Sequence, residues 1–186
     1  GGNFSDDSDD IATWVPADYS LTKIYLSELS ISEARQQFFD NINSGSLLVN
    51  YIGHSGYDRI ADEGLLLAND LSGNDPHLSN KGRLPIFTSM TCLMGQFAIP
   101  GFDFLSESLM LHKNGGAISV WAPSGLSLNP KAKIMDDEFF RAVFSDHENI
   151  LGDAVLKALQ GYSKKDADIY MMDIFILFGD PALQIR

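Results

Sequence analysis

Apolar residues in this chain gather into four short runs: residues 47–52 (LLVNYI), 84–90 (LPIFTSM), 117–121 (AISVW) and 174–178 (IFILF). Near-continuous runs of this length are how strands read when a sheet is covered on both faces. Between them the spacing turns helical. Ser32 stands as an N-cap, Glu33 falls in the first turn, and Ala34, Phe38 and Ile42 follow at helical intervals until the Asn43-Ser44-Gly45 turn. Further helices are predicted over 104–111, closed by Gly115-Gly116, over 131–144 and over 150–159, with a shorter one near 65–71. Residues 21–26 (LTKIYL) alternate enough to predict a strand near a sheet edge, and 182–185 a final strand. Residues 1–10, the Pro16 turn in WVPADY and the polar stretch 72–83 read as loops. Strands alternating with helices predict an α/β fold, with a mainly parallel sheet and helices on both faces.

In such a sheet, ligands bind just beyond the carboxyl ends of the strands. The first run is followed by Gly53 and His54, and the second stops two residues before Cys92, the only cysteine in the chain. A thiol with an ordinary pKa of about 8.5 becomes a useful nucleophile when its surroundings favour the thiolate. A neighbouring imidazole does this, and can then protonate a leaving amine. If the strands carrying the two residues are adjacent, both side chains emerge at one edge of the sheet, a geometry suited to acyl transfer through a thioester. On spacing alone, a structural histidine and a buried cysteine account for the residues equally well.

Composition narrows the field. With 186 residues, 45% hydrophobic and 20% charged, the chain suits one globular domain. Its net charge of −12, from 13 basic and 25 acidic residues, argues against nucleic acid and anionic membranes as partners. No apolar run approaches the roughly 20 residues of a membrane span, and the N-terminus lacks the build of a signal peptide. One cysteine cannot form an internal disulfide, so the redox argument for a compartment is silent. The acidic run Asp6 to Asp10 reads as a solvated loop, with a structural Ca²⁺ site as the alternative, although its spacing matches no EF-hand. His77, His112 and His147 have no zinc-site spacing and are assigned no role.

Four blocks, NYIGHSGYDRIADE, LPIFTSMTCLMGQF, NGGAISVWAPS and LFGDPAL, follow one another in an order that resembles the gingipain family of cysteine peptidases, in the caspase-like clan. The resemblance implies a caspase-like three-layer sandwich over residues 1–186, a single peptidase domain. Because the family's catalytic domain is longer, an N-terminal subdomain is expected to be missing. It implies His54 as general acid and base, Cys92 as nucleophile, and an oxyanion hole made by the backbone N–H groups of Cys92 and Ser55. No cofactor is required, the partner is a peptide or protein substrate, and the location is extracellular or cell-surface, in bacteria. The primary pocket is expected around Ser89, Met90, Trp121, Ala122, Pro123 and Ser124. A carboxylate for a basic substrate side chain would come from Asp58, Asp62 or Glu63, of which Glu63 is the candidate carried forward. One departure stands out: the family has His-Gly where this chain has His54-Ser55.

Two other readings use the same residues. Gly53-His54-Ser55-Gly56-Tyr57 imitates the Gly-x-Ser-x-Gly elbow of serine hydrolases, which would make Ser55 the nucleophile. A caspase-like scaffold without activity would serve instead as a binding or secretion-associated module.

Overall fold

In a computed structural model that describes residues 3–72, 77–166 and 168–185, the chain builds a four-stranded sheet in the order β1-β4-β5-β6. The strands are β1 (Leu48–Ile52), β4 (Ile86–Met90), β5 (Ser119–Pro123) and β6 (Phe175–Phe178). The first three are parallel, and β6 closes the edge antiparallel to β5. A small hairpin, β2 (Arg59–Ile60) with β3 (Leu66–Leu67), follows β1.

Side-chain alternation along the strands divides the interior in two. Ile52, Ile86, Met90 and Trp121 face one layer, formed by α1 (Phe4–Ala12), α4 (Asn129–Phe140), α5 (Leu151–Lys165) and α6 (Ile169–Ile174). Val49, Tyr51, Phe87, Val120 and Ala122 face the other, formed by α2 (Ile31–Ser44), α3 (Leu105–Leu111) and the hairpin. The result is the α/β three-layer arrangement expected from the pattern, with β4 and β5 buried along their whole length.

The helices follow their sequence signals with shifts at the ends. The cap of α2 is Ser30 rather than Ser32: its hydroxyl accepts from the Glu33 N–H while Glu33 reaches back to the Ser30 N–H. Ala34, Phe38 and Ile42 are buried as the spacing requires, and the helix ends at Gly45, whose φ of +108° suits glycine. The third predicted helix is α4 from Asn129 to Phe140, continued by one π turn over Arg141–Ser145.

Four expectations need correction. Residues 21–26 join no sheet; Thr22, Lys23 and Tyr25 are instead tethered by side chains to Asn41 and Asp9. Residues 65–71 hold β3 and a short 3-10 turn rather than a helix. The tail forms only an isolated bridge, Ile150 to Gln184. The acidic opening is not a loop but α1, which buries Ile11 and presses Phe4 and Trp14 against the core. Its carboxylates have their own partners: Asp9 pairs with Lys23, Asp10 with Lys133, and Asp7 accepts from Asn129 and lies 4.0 Å from the same Lys133. Among the described residues no group of three His, Cys, Asp or Glu side chains could hold a metal ion. Of the polar stretch 72–83, residues 73–76 lie outside the described residues, as do Gly1, Gly2, Ala167 and Arg186. No described helix is long and apolar enough to cross a membrane.

Candidate active site

The two strands that carry His54 and Cys92 are neighbours, parallel and in register, with Ile52 opposite Met90. The Gly53 N–H extends the pairing to the Met90 carbonyl at 3.4 Å. His54 and Cys92 each stand two residues beyond that matched pair. They therefore leave the sheet at one level, on its carboxyl edge. Side chains tie the strands as well: Thr88 Oγ1 donates to Asn50 Oδ1 at 2.7 Å across the β1–β4 pair.

His54 is exposed, and its backbone is held from two sides. Its carbonyl accepts the Ala61 N–H at 2.9 Å and the Tyr51 phenol at 2.7 Å. Burial pushes the Tyr51 phenol up from its ordinary value, which keeps it a proton donor at neutral pH. The imidazole meets Phe4 of α1 edge to face, with ring centroids 5.0 Å apart. The helix that replaced the expected loop thus forms one wall beside the histidine.

Cys92 is half-buried, and its thiol points to the Ser127 carbonyl at 3.6 Å. The chain then turns sharply. Leu93 takes a left-handed φ of +58°, a conformation that costs a residue with a Cβ about 1 kcal/mol or more. It is held there by its own N–H, bonded to the Gly125 carbonyl at 3.0 Å. Gly95 lies against the end of β5: its N–H reaches the Pro123 carbonyl at 2.9 Å, and a Cβ there would sit 2.6 Å from the Ala122 carbonyl oxygen. The glycine three places after the cysteine is thus required by a close backbone approach.

Hydroxyl groups join the two loops. Thr91 Oγ1 donates to Ser55 Oγ at 2.8 Å, Ser55 Oγ donates to the Cys92 carbonyl, and Ser127 Oγ donates to the Thr91 carbonyl. Among the described residues, the backbone N–H groups of Cys92 and Ser55 have no protein acceptor, and neither do those of their neighbours His54 and Thr91, while those of Gly53, Gly56 and Leu93 are bonded. Two free donors beside a half-buried thiol suit an oxyanion.

The predicted pocket residues divide by accessibility. Met90 and Trp121 are 1% and 0% exposed in the α4/α5 core, and Ser89, Ala122 and Pro123 are equally enclosed. Their side chains fill the interior and cannot line a substrate pocket. Ser124 is half-buried, with its hydroxyl and N–H both bonded to the Ile174 carbonyl. Glu63 is exposed in the loop between β2 and β3, and its charge acts on the nearby Tyr51 phenol. Asp58 is paired with Arg59. The exposed apolar surface next to Cys92 comes instead from the loop after β5, where Leu126 and Leu128, which flank the Ser127 that meets the thiol, are 64% and 57% exposed. Asp7 of α1 accepts from Asn129, the first residue of α4, at 2.7 Å. Pattern reading missed these residues because they follow a run rather than belong to it; the exposed Leu-Ser-Leu within a polar loop was the available signal.

The serine elbow does not form. Ser55 is followed by the β2 hairpin rather than a helix, and its hydroxyl proton is committed to the Cys92 carbonyl.

The geometry can be set beside known proteins. Residues 1–186 match the family model of peptidase family C25. A search of curated proteins returns no match. Among solved structures, the fold resembles the crystal structure of the Arg specific cysteine proteinase gingipain R (RGPB), with a TM-score of 0.73 and 22% identity over 82% of this chain and 36% of that one. The complex of Porphyromonas gingivalis RgpB pro- and mature domains is similar at TM-score 0.72 and 22% identity, over 82% of this chain and 37% of that one. A third structure, of a protease, gives 0.67 and 17%, over 78% of this chain and 37% of that one. The chain thus spans little more than a third of the length of the structures it matches.

Proposed function

The chain belongs to peptidase family C25, and on that premise we propose that it is a cysteine endopeptidase whose nucleophile is Cys92 and whose general acid and base is His54. The observation that carries the reading is the β1–β4 register, which delivers both side chains to one edge of the sheet beside two unbonded N–H groups. His54 takes the thiol proton as Cys92 Sγ attacks the scissile carbonyl. The Cys92 and Ser55 N–H groups receive the oxyanion. The tetrahedral intermediate collapses to a thioester as His54 gives the proton to the leaving amine, and water, deprotonated by His54, then releases the acid and restores the thiol.

The substrate is a peptide or protein. A preference for a basic side chain is supported by the charge of −12 and by the exposed carboxylate of Glu63 in the loop that follows the histidine. Membership of the gingipain group supports an exported, cell-surface enzyme, tested by fractionating the producing cells.

The deciding experiment is chemical. Iodoacetamide near neutral pH is expected to label Cys92 selectively, His54→Ala to slow the labelling, and Cys92→Ala to abolish hydrolysis of peptidyl substrates. A folded protein with an unreactive Cys92 and no hydrolysis overturns the proposal and leaves a binding module.

A further inference from the structure

The departure from His-Gly at Ser55 changes what surrounds the nucleophile. Two peptide units flank Cys92, and a serine hydroxyl from a different loop bonds each. Ser127 Oγ donates to the Thr91 carbonyl, which belongs to the peptide that carries the Cys92 N–H. Ser55 Oγ donates to the Cys92 carbonyl, which belongs to the peptide that carries the Leu93 N–H, and that N–H is bonded to Gly125. In a planar trans peptide the oxygen and the hydrogen point in opposite directions. Holding the Thr91 oxygen on one side therefore aims the Cys92 N–H to the other, where it has no protein acceptor. The second peptide is held at both of its ends, so the pair cannot rotate about Cys92 together. Ser55 is itself fixed by the hydroxyl of Thr91, which is buried.

We propose that Ser55 and Ser127 are positioning residues, whose hydroxyls lock the two peptide planes on either side of Cys92 and aim its N–H at the substrate oxyanion. The proposal rests on the peptidase reading above. It makes Ser55 a replacement device rather than a defect: a glycine at this place supplies the same N–H but no hydroxyl to hold the neighbouring loop. Bonding a carbonyl also polarises its peptide and strengthens the N–H on its far side as a donor. The gain falls on the transition state, because the donor is matched to an oxyanion that the ground-state carbonyl has not yet formed.

The test compares two reactions of one thiol. Alkylation by iodoacetamide forms no oxyanion, whereas hydrolysis of a peptidyl substrate does. In Ser55→Ala, Ser55→Gly and Ser127→Ala, kcat is expected to fall about tenfold or more with KM little changed. The alkylation rate should stay within about twofold of wild type. Ser127→Thr, which keeps the hydroxyl, is expected to restore kcat, and melting temperatures identify any variant that has lost its fold. If the folded Ala variants keep kcat within about twofold, or if Ser127→Thr is as slow as Ser127→Ala, the positioning role is overturned while the dyad stands. A wild-type protein with neither hydrolysis nor thiol reactivity overturns the peptidase reading and this role with it.

Discussion

Asn50 donates its side-chain amide to Asp136 Oδ2 at 2.7 Å, linking β1 to α4 inside the core. Asp136 is fully enclosed, and its other oxygen has no partner among the described residues. Burial raises its carboxyl from the ordinary value to about 7. Asn50 lies four residues before His54 and is bonded to Thr88 on β4, so this buried acid supports the pair of strands that bear the site.

A pH dependence follows from Asp136. Its folded pKa is raised, so the folded chain keeps a proton that the unfolded chain has already released. Stability from this group is present below the ordinary carboxyl pKa and is lost as pH rises toward 7. Asp136→Asn keeps an acceptor for Asn50 and cannot ionise. Urea denaturation should find it equal to wild type near pH 4 and more stable by roughly 2–4 kcal/mol at pH 8. Parallel stability curves for the two proteins would refute the assignment.

Gly95→Ala drives a Cβ to 2.6 Å from the Ala122 carbonyl oxygen, a backbone atom that cannot swing away. The loop carrying Cys92 must lift from β5, at a cost of roughly 1–3 kcal/mol. Both the melting temperature and the alkylation rate of Cys92 should drop; an unperturbed protein would show that the loop yields freely.

Arg35 of α2 holds the far side of the hairpin. It bonds both oxygens of the buried Asp70 and reaches the carbonyls of Gly64 and Leu65. Removing it leaves a buried carboxylate with its main cationic partner gone, which typically costs about 3–5 kcal/mol. Arg35→Ala is expected to unfold at markedly lower urea concentration, and Arg35→Ala with Asp70→Asn to recover part of the loss. A recovery of zero would place the cost in the two carbonyl contacts instead.

Phe4→Ala removes the ring that meets the His54 imidazole. Because Phe4 is only half-buried near the start of α1, its loss should lower stability by no more than about 1–2 kcal/mol. The imidazole gains freedom, so kcat is expected to fall by severalfold while Cys92 remains in place. Unchanged kinetics would mean that His54 is held by its backbone contacts alone.

Much of this molecule was legible in the chain itself. The runs that became β1, β4 and β5 were recognisable because strands covered on both faces need apolar residues on both. Helix α2 carried its own cap and its own buried face. His54 and Cys92 could be singled out because each stands two residues past the end of such a run, where a sheet of this type exposes its ends.

Other features depend on partners distant in the chain. Nothing within residues 4–12 predicts a helix against the core; Asp9 and Asp10 are matched by Lys23 and Lys133, and Trp14 by Asp137. Residues 21–26 alternate like a strand yet pair with neither edge strand, β1 or β6; their side chains bond Asn41 and Asp9 instead. Met90 and Trp121 looked like pocket residues by position, and the parity of their strands turned them into the α4/α5 core.

Local sequence determined which segments are apolar, where the reactive residues stand and how α2 begins, since those rest on contacts within a few residues. The tertiary structure alone decided that β1 lies beside β4, that α1 walls the histidine, and that Ser55 and Ser127 close on the peptides flanking Cys92. Those outcomes require side chains far apart in the chain to meet, and only the packed layers set where they do.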